Sequence, residues 1–448
     1  MNPNDTPLGR RMFLAGAAGS IVAPAALAGI APAPGRDAFV RRSGTSFVRH
    51  GKPWRLTGAN AWYLAWLGSA ASYGNRARLG RELDRLRALG VTNVRLLAGA
   101  EEGPLKNAVT PGFLNRAGTL NQDLLVGLDH ALAELAVRDM TGVLYLTNNW
   151  EWSGGMMTLL WYETGQYIDN NDPAYPWPDF PDRGSAFYAN AAAVRRNLNY
   201  VRALVSRVNS VTGIRYADDP TIMSWQLCNE PRPGVRPEVM KAILPAYYNW
   251  INTSARLIRS LAPKHLVSLG MEGTIATNGS EEIVLKAHEN IDYMTAHVWP
   301  LNWGWVDDKN LAGTWQAGAE KVEAYVDTHV RLAATAGKPL VIEEFGFPRD
   351  DGRFGQEAGT SFREKYYRLI YGAAERSLAQ GGPVAGTNFW AWNGEARTPH
   401  ADYRFQPGDA QFMGDPPHEP QGWYGNFDSD TAIQAIIRDH AKRFATPA

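Results

Sequence analysis

The chain has 448 residues, with 45 Lys plus Arg matched by 45 Asp plus Glu, one cysteine and 16 tryptophans. At 45% hydrophobic and 20% charged residues, it has ample material for a large core and too little charge for a disordered chain. Zero net charge argues against nucleic acid or a polybasic membrane surface as the main partner, and Cys228 alone excludes an intrachain disulfide or a zinc site built on several thiolates.

The first stretch reads as an address. Arg10 and Arg11 precede Met12, Phe13 and Leu14, and a weakly apolar Ala/Gly run follows over 15–33, interrupted by Pro24. Ala26-Leu27-Ala28 has the small–x–small pattern that a signal peptidase accepts. The stretch 1–34 looks like a twin-arginine export signal. That reading predicts a mature chain over 35–448, periplasmic or extracellular and free of the membrane once the signal is removed. As a membrane span the run is barely long enough, and its Gly, Ala and Pro content is unfavourable.

Beyond it, Phe39-Val40 and Phe47-Val48 flank Ser43-Gly44-Thr45, a hairpin pattern. A strand is predicted over 54–60, then a helix over 76–89 with Leu79, Leu83 and Leu86 on one face and Gly90 ending it. A second strand covers 91–97, and Leu125, Leu128, Leu132 and Leu135 mark the next helix. A third strand covers 143–147, a helix 191–208, and a fourth strand 221–227. The helix predicted over 237–261 contains Pro245, which should kink or split it. A fifth strand covers 265–269, followed by a weak helix near 283–288. A sixth strand spans 291–297, with its helix over 321–336. A seventh spans 339–343, with a helix over 362–378, and an eighth 384–389, with a closing helix over 431–444.

Eight strand–helix units with near-continuous apolar strands predict a single α/β domain, a closed (β/α)8 TIM barrel carrying an N-terminal hairpin. The long connections, 149–183, 298–314 and 391–427, follow strands three, six and eight. They should therefore share the face on which barrel enzymes work.

The strand ends concentrate polar and aromatic chemistry there. Strand one ends at Asn60-Ala61-Trp62, strand two carries Arg95, and strand three ends at Asn148-Asn149-Trp150. Strand four ends at Asn229-Glu230-Pro231-Arg232, strand five at Glu272, and strand six at His297-Val298-Trp299. Strand seven ends at Glu343-Glu344-Phe345 and strand eight at Asn388-Phe389-Trp390. Such a rim suits sugars: indoles stack on pyranose faces, while amides, Arg, His and carboxylates bind hydroxyls. Cleaving a glycosidic bond needs two carboxyl groups flanking it, about 5–5.5 Å apart in a retaining enzyme. Glu230 is the expected proton donor and base, held in extended backbone by Pro231, with Asn229 beside it to bond the substrate 2-hydroxyl. For the nucleophile, Glu343 and Glu344 are adjacent candidates that strand parity should send to opposite sides, and Glu344 is favoured.

The segments Trp225–Arg232 and Lys338–Gly346 resemble the two catalytic-strand motifs of glycoside hydrolase family five, in clan A. Asn148-Asn149-Trp150, the stretch from His297 to Trp303, and Asn388–Trp392 resemble its β-mannanase and β-mannosidase branch. The resemblance implies Glu230 as proton donor and Glu344 as nucleophile, with Arg95 and His297 shaping the nucleophile's surroundings and Trp390 flooring the sugar site. Asn149, Trp150, Trp62 and Trp299 complete the expected substrate contacts. Many members carry a tyrosine where Trp299 stands, and an indole N–H can donate one bond but cannot copy a phenol. The implied activity is cleavage of β-1,4-mannosidic bonds in mannan or manno-oligosaccharides, in the endo-1,4-β-mannanase manner. An exo-acting β-mannosidase and an endo-β-1,4-glucanase are the enzymatic alternatives. The partner is then a β-linked polysaccharide or oligosaccharide, with no nucleic acid, no cofactor and no metal, and the chain is expected to be a monomer. Outside that class stand a metal-dependent barrel hydrolase, disfavoured by nine scattered histidines, and an inactive sugar-binding barrel, which leaves the paired acids unexplained.

Overall fold

The structure, a computed structural model, describes residues 38–445, so the expected export signal lies outside the described residues. Strands β1 (Arg41–Ser43), β2 (Ser46–Arg49) and β3 (Lys52–Trp54) form a small antiparallel sheet. The anticipated hairpin thus gains a third strand, because the single strand expected over 54–60 breaks at Arg55. The barrel begins with β4 (Leu56–Asn60), followed by α1 (Leu64–Gly68) and α2 (Arg76–Ala88). Next come β5 (Asn93–Leu97), α3 (Gln122–Ala136), β6 (Thr141–Tyr145), α4 (Gly155–Thr164), α5 (Asp179–Ser185) and α6 (Ala191–Val205). They lead into β7 (Ile222–Gln226), α7 (Pro237–Leu261), β8 (Leu266–Ser268), α8 (Glu281–Ala287), β9 (Met294–Val298) and α9 (Leu311–Ala336). The chain finishes with β10 (Leu340–Phe345), α10 (Ser361–Ala379), β11 (Val384–Phe389), the short pair β12 (Trp392–Gly394) and β13 (Asn426–Phe427), and α11 (Thr431–Ala445).

Strands β4 to β11 form one parallel eight-stranded sheet in the order β8-β7-β6-β5-β4-β11-β10-β9. A parallel bridge between Ser268 and Tyr293 joins its ends, making a (β/α)8 barrel. The strands are buried on both faces, which explains their unbroken apolar runs. Inside, Leu56, Val143, Met223, Leu266, Val341 and Ala385 make one apolar floor, and Phe47 of β2 packs onto it with Val40 and Tyr293. The N-terminal sheet therefore plugs the bottom of the barrel and leaves the other mouth for chemistry.

Pro245 neither splits nor ends α7, which runs on to Leu261. It lies on the exposed face, where water can satisfy the carbonyl that its missing N–H leaves free. Among the described residues, no helix is long and apolar enough to cross a membrane.

Candidate active site

The buried layer above the apolar floor is polar, and Arg95 organises it. From β5, its Nε donates to Gln226 Oε1 at 2.7 Å. One terminal nitrogen donates to Asn60 Oδ1 at 3.0 Å and Glu344 Oε1 at 2.5 Å, and the other to Asn229 Oδ1 at 2.7 Å. The guanidinium also lies 4.3 Å from the ring centre of Tyr145. A planar fork with five donors can serve acceptors from β4, β7 and β10 at once, and no other side chain can do so.

Strand parity does not separate the two adjacent glutamates as expected. Against β9, Ile342 pairs with Ala296 and Glu344 with His297, so a β-bulge falls at Glu343. The extra residue resets the alternation: Val341 faces the barrel floor, Ile342 and Phe345 pack outward, and both acids between them turn to Arg95. Glu343 is fully buried and accepts from Gln226 Nε2 at 2.7 Å. Burial alone would raise its pKa, but the Arg95 charge and His297 bring it below the ordinary carboxylate value. Glu344 stands one step nearer the mouth and also receives the Trp299 indole N–H at 3.3 Å.

Glu230 closes the constellation from the opposite side. Its φ is +53°, left-handed rather than the extended backbone anticipated from Pro231. That conformation costs a non-glycine residue about 1–2 kcal/mol. It is held by a backbone bond from Glu230 N to Gly270 O at 2.8 Å and by both carboxylate oxygens: Oε1 faces His297 Nδ1 at 2.6 Å, and Oε2 accepts from Trp150 Nε1 at 2.5 Å. His297 Nδ1 also reaches Glu344 Oε2 at 3.2 Å, and Nε2 lies 3.5 Å from Glu343 Oε2. Burial disfavours its cation, yet Glu344, Glu230 and Glu343 together raise its pKa well above the free value, which favours the imidazolium among these three acids.

One oxygen each of Glu230 and Glu344 and one ring nitrogen of His297 lie within 4.8 Å of one another. By donor type this is the one group among the described residues that could hold a metal ion. Its atoms are already engaged with Arg95, Trp150, Trp299 and each other, an arrangement that fits acid–base work better than a ligand set.

The remaining expected contacts divide. Asn229 bridges Arg95 and Asn148 and borders Glu230. Asn149 is buried, and neither its side-chain oxygen nor its nitrogen finds a protein partner. The indole N–H of Trp390 is likewise unpartnered, and its ring stands edge-to-face with Trp299 at 5.9 Å. Trp62 lies elsewhere than anticipated: it is 1% exposed, packs among Trp66, Trp152 and Phe412, and gives its N–H to Gly414 O at 3.0 Å. As placed it is a wall behind the site, because the connection after β11 covers it.

That same connection supplies groups that the sequence did not announce. Asp415 accepts from the backbone N–H of Gly422, Tyr424 and Gly425 and from Asn393 Nδ2, folding the loop over the mouth. Tyr424 packs on Trp299 at 4.9 Å, and His418 stacks on Trp152 at 6.4 Å. Glu419 is buried with one oxygen unpartnered; burial first, then the charges of Asp415, Glu344 and Glu230, drive its pKa well above the usual value, which favours its neutral form. Gln226 and Tyr145 were missed, although their inward positions on predicted strands offered a signal; Asn60, read at the end of strand one, is held in the site by Arg95.

Two carboxyl groups meeting across the mouth of a (β/α)8 barrel, with indoles on the walls and a cation between them, define an enzyme that breaks bonds between sugars. The match to a family model described as GH family 5 beta-mannosidase-like runs over residues 37–448, and the chain belongs to that family of O-glycosyl hydrolases. It is 30% identical to the glycoside hydrolase family 5 mannosidase from Rhizomucor miehei, whose crystal structure aligns over 92% of this chain and 98% of that one with a TM-score of 0.83. The endo-1,4-beta-mannanase from Rhizomucor miehei, at 23% identity, shares the fold with a TM-score of 0.66 over 91% of this chain and 99% of its own. Mannan endo-1,4-beta-mannosidase 3 of Arabidopsis thaliana is 28% identical over 376 residues, 79% of this chain and 81% of that protein.

Proposed function

We propose that the protein is a retaining β-mannosidase that removes terminal mannose from β-1,4-linked manno-oligosaccharides. The carrying observation is the Glu230–His297–Glu344 constellation, whose nearest groups fall within 4.8 Å, a spacing suited to double displacement. Glu344, aligned by Arg95 and Trp299, attacks the anomeric carbon while Glu230 protonates the departing oxygen. Glu230 then takes a proton from water, which displaces Glu344 and frees the sugar with its configuration retained.

Enclosure supports terminal over internal cleavage. Glu230 is 6% and Glu344 2% exposed, and the loop bearing His418, Glu419 and Tyr424 packs on the walls beside them. A neutral Glu419 can donate a hydrogen bond to a hydroxyl of the bound mannose, and the unpartnered Asn149 amide can serve another. The family model and the Rhizomucor miehei mannosidase favour the same reading. Endo cleavage of mannan is the second reading, favoured by the plant relatives named as endo-acting mannosidases. The test is the product profile on mannohexaose. Mannose released alone from one end supports the proposal, mixed oligomers replace it with endo cleavage, and products from cello-oligosaccharides but not mannohexaose reject the mannan assignment. We also propose twin-arginine export; a reporter fused to residues 1–40 should lose export when Arg10 and Arg11 both become lysine.

A further inference from the structure

Glu272, at the end of β8, has no step in the double displacement, yet it is buried and fully engaged. Both its oxygens accept from Arg232, whose Nε and a terminal nitrogen each lie 2.6 Å away. The guanidinium so fixed lies over the ring of Trp150, its central carbon 5.1 Å from the ring centre, and 5.7 Å from that of Trp177. The two indoles are stacked on each other at 6.4 Å with planes 23° apart. Trp150 in turn gives its N–H to Glu230 Oε2 at 2.5 Å. An unbroken series of contacts therefore runs from Glu272 through Arg232 and Trp150 to the acid/base.

We propose that Glu272 and Arg232 are positioning residues for the proton donor, holding Trp150 so that its N–H keeps the Glu230 carboxyl aligned on the oxygen of the departing sugar. The inference rests on the reading of Glu230 as acid/base. A flat guanidinium can lie on an indole face and still meet both oxygens of a carboxylate, whereas an ammonium cannot do both. Trp150 sits on a long connection and packs against the apolar cluster of Leu105, Met157, Ile168 and Phe180; Arg232 is the charged group that lies over its ring. Loosening Arg232 would let that ring tilt and would misdirect proton delivery, without touching the Glu344 side, which is fixed separately by Arg95 and Trp299.

The test exploits leaving-group chemistry. In a series of aryl β-mannosides of similar size, 2,4-dinitrophenolate departs without a proton, whereas 4-methoxyphenolate needs one. The kcat/KM of each reports the glycosylation step alone. We expect Arg232→Lys and Glu272→Gln each to widen the dinitrophenyl-to-methoxyphenyl ratio of kcat/KM by ~10-fold or more, part of the 10²–10⁴ that a general acid supplies. Trp150→Phe, which keeps a smaller aromatic ring but loses the indole N–H to Glu230, should widen it similarly and serves if a charge variant fails to fold. Equal losses on both substrates mean a lost binding contact or a damaged fold and overturn the proposal, as does a ratio within twofold of the unmodified enzyme. Glu230→Gln is the control. If it leaves the ratio flat, the acid/base assignment fails; if it widens the ratio while the other variants do not, only the positioning role fails.

Discussion

Arg95→Lys tests whether the guanidinium fork, rather than its charge, builds the nucleophile's side of the site. Arg95 meets four acceptors within 3.0 Å through three nitrogens: Gln226 Oε1, Asn60 Oδ1, Glu344 Oε1 and Asn229 Oδ1. A lysine keeps the charge but offers three N–H groups from one atom, on a stem that cannot lie flat over Tyr145. One or two of these buried acceptors lose their partner, at about 1–3 kcal/mol each, so the total is ~1–6 kcal/mol. Part of this appears as lowered Tm. We expect the rest to reduce kcat/KM by ~10²–10³-fold, equivalent to about 3–4 kcal/mol, through poor alignment of Glu344. The assay is hydrolysis of 2,4-dinitrophenyl β-mannoside, whose glycosylation needs the nucleophile but no proton donor. The loss should therefore be the same for basic and non-basic leaving groups. A lysine variant retaining more than a third of the original kcat/KM would show that charge alone suffices and would refute the argument.

Trp299→Phe removes one long bond of 3.3 Å to Glu344 while leaving an aromatic ring against Trp390 and Tyr424, so a loss of about 1 kcal/mol, near fivefold in kcat, is expected from steady-state kinetics. Glu101 has its pKa raised to about 7, chiefly by burial. A raised folded-state value means stability that is complete below the unfolded pKa near 4.5 and is lost as pH climbs through 7, by about 3 kcal/mol in all. Thermal melts should therefore decline over that window, and Glu101→Gln should flatten part of the slope. His297 acts in the same sense at higher pH, because its raised value gives stability present below about 6.5 and lost as pH rises through its folded pKa; His297→Gln should remove that alkaline component. Prolonged treatment with a chelator should leave turnover unchanged, and a rate lost to the chelator and restored by a divalent cation would reverse the view of the Glu230–His297–Glu344 group.

The eight barrel strands were legible to within about three residues because burial on both faces leaves an apolar signature with no need of periodicity. Helix α4 was not, for a related reason. Its residues 155–160 and Tyr162 are all buried, so no stripe marks it within a long connection. Helix α9 starts ten residues before its apolar pattern becomes regular. At the site, the residue types at strand ends placed Glu230, Arg95, His297 and the acid pair on one rim. The direction of each side chain was less accessible. The bulge at Glu343 depends on register against β9, and the left-handed backbone of Glu230 on a bond to Gly270, neither of which is written locally. Glu419 had no signal at all, since its position comes from Asp415 gathering donors from residues up to 22 positions away.

The plug beneath the barrel has a consequence for biosynthesis. Phe47 emerges early, but the ring it meets, Tyr293, and the floor residues Val341 and Ala385 follow hundreds of positions later. Closure is therefore strongly non-local, and loops of that length are slow to join. Until the last strands arrive, the nascent chain carries Val40, Phe47 and Leu56 without the later residues that bury them in the finished barrel.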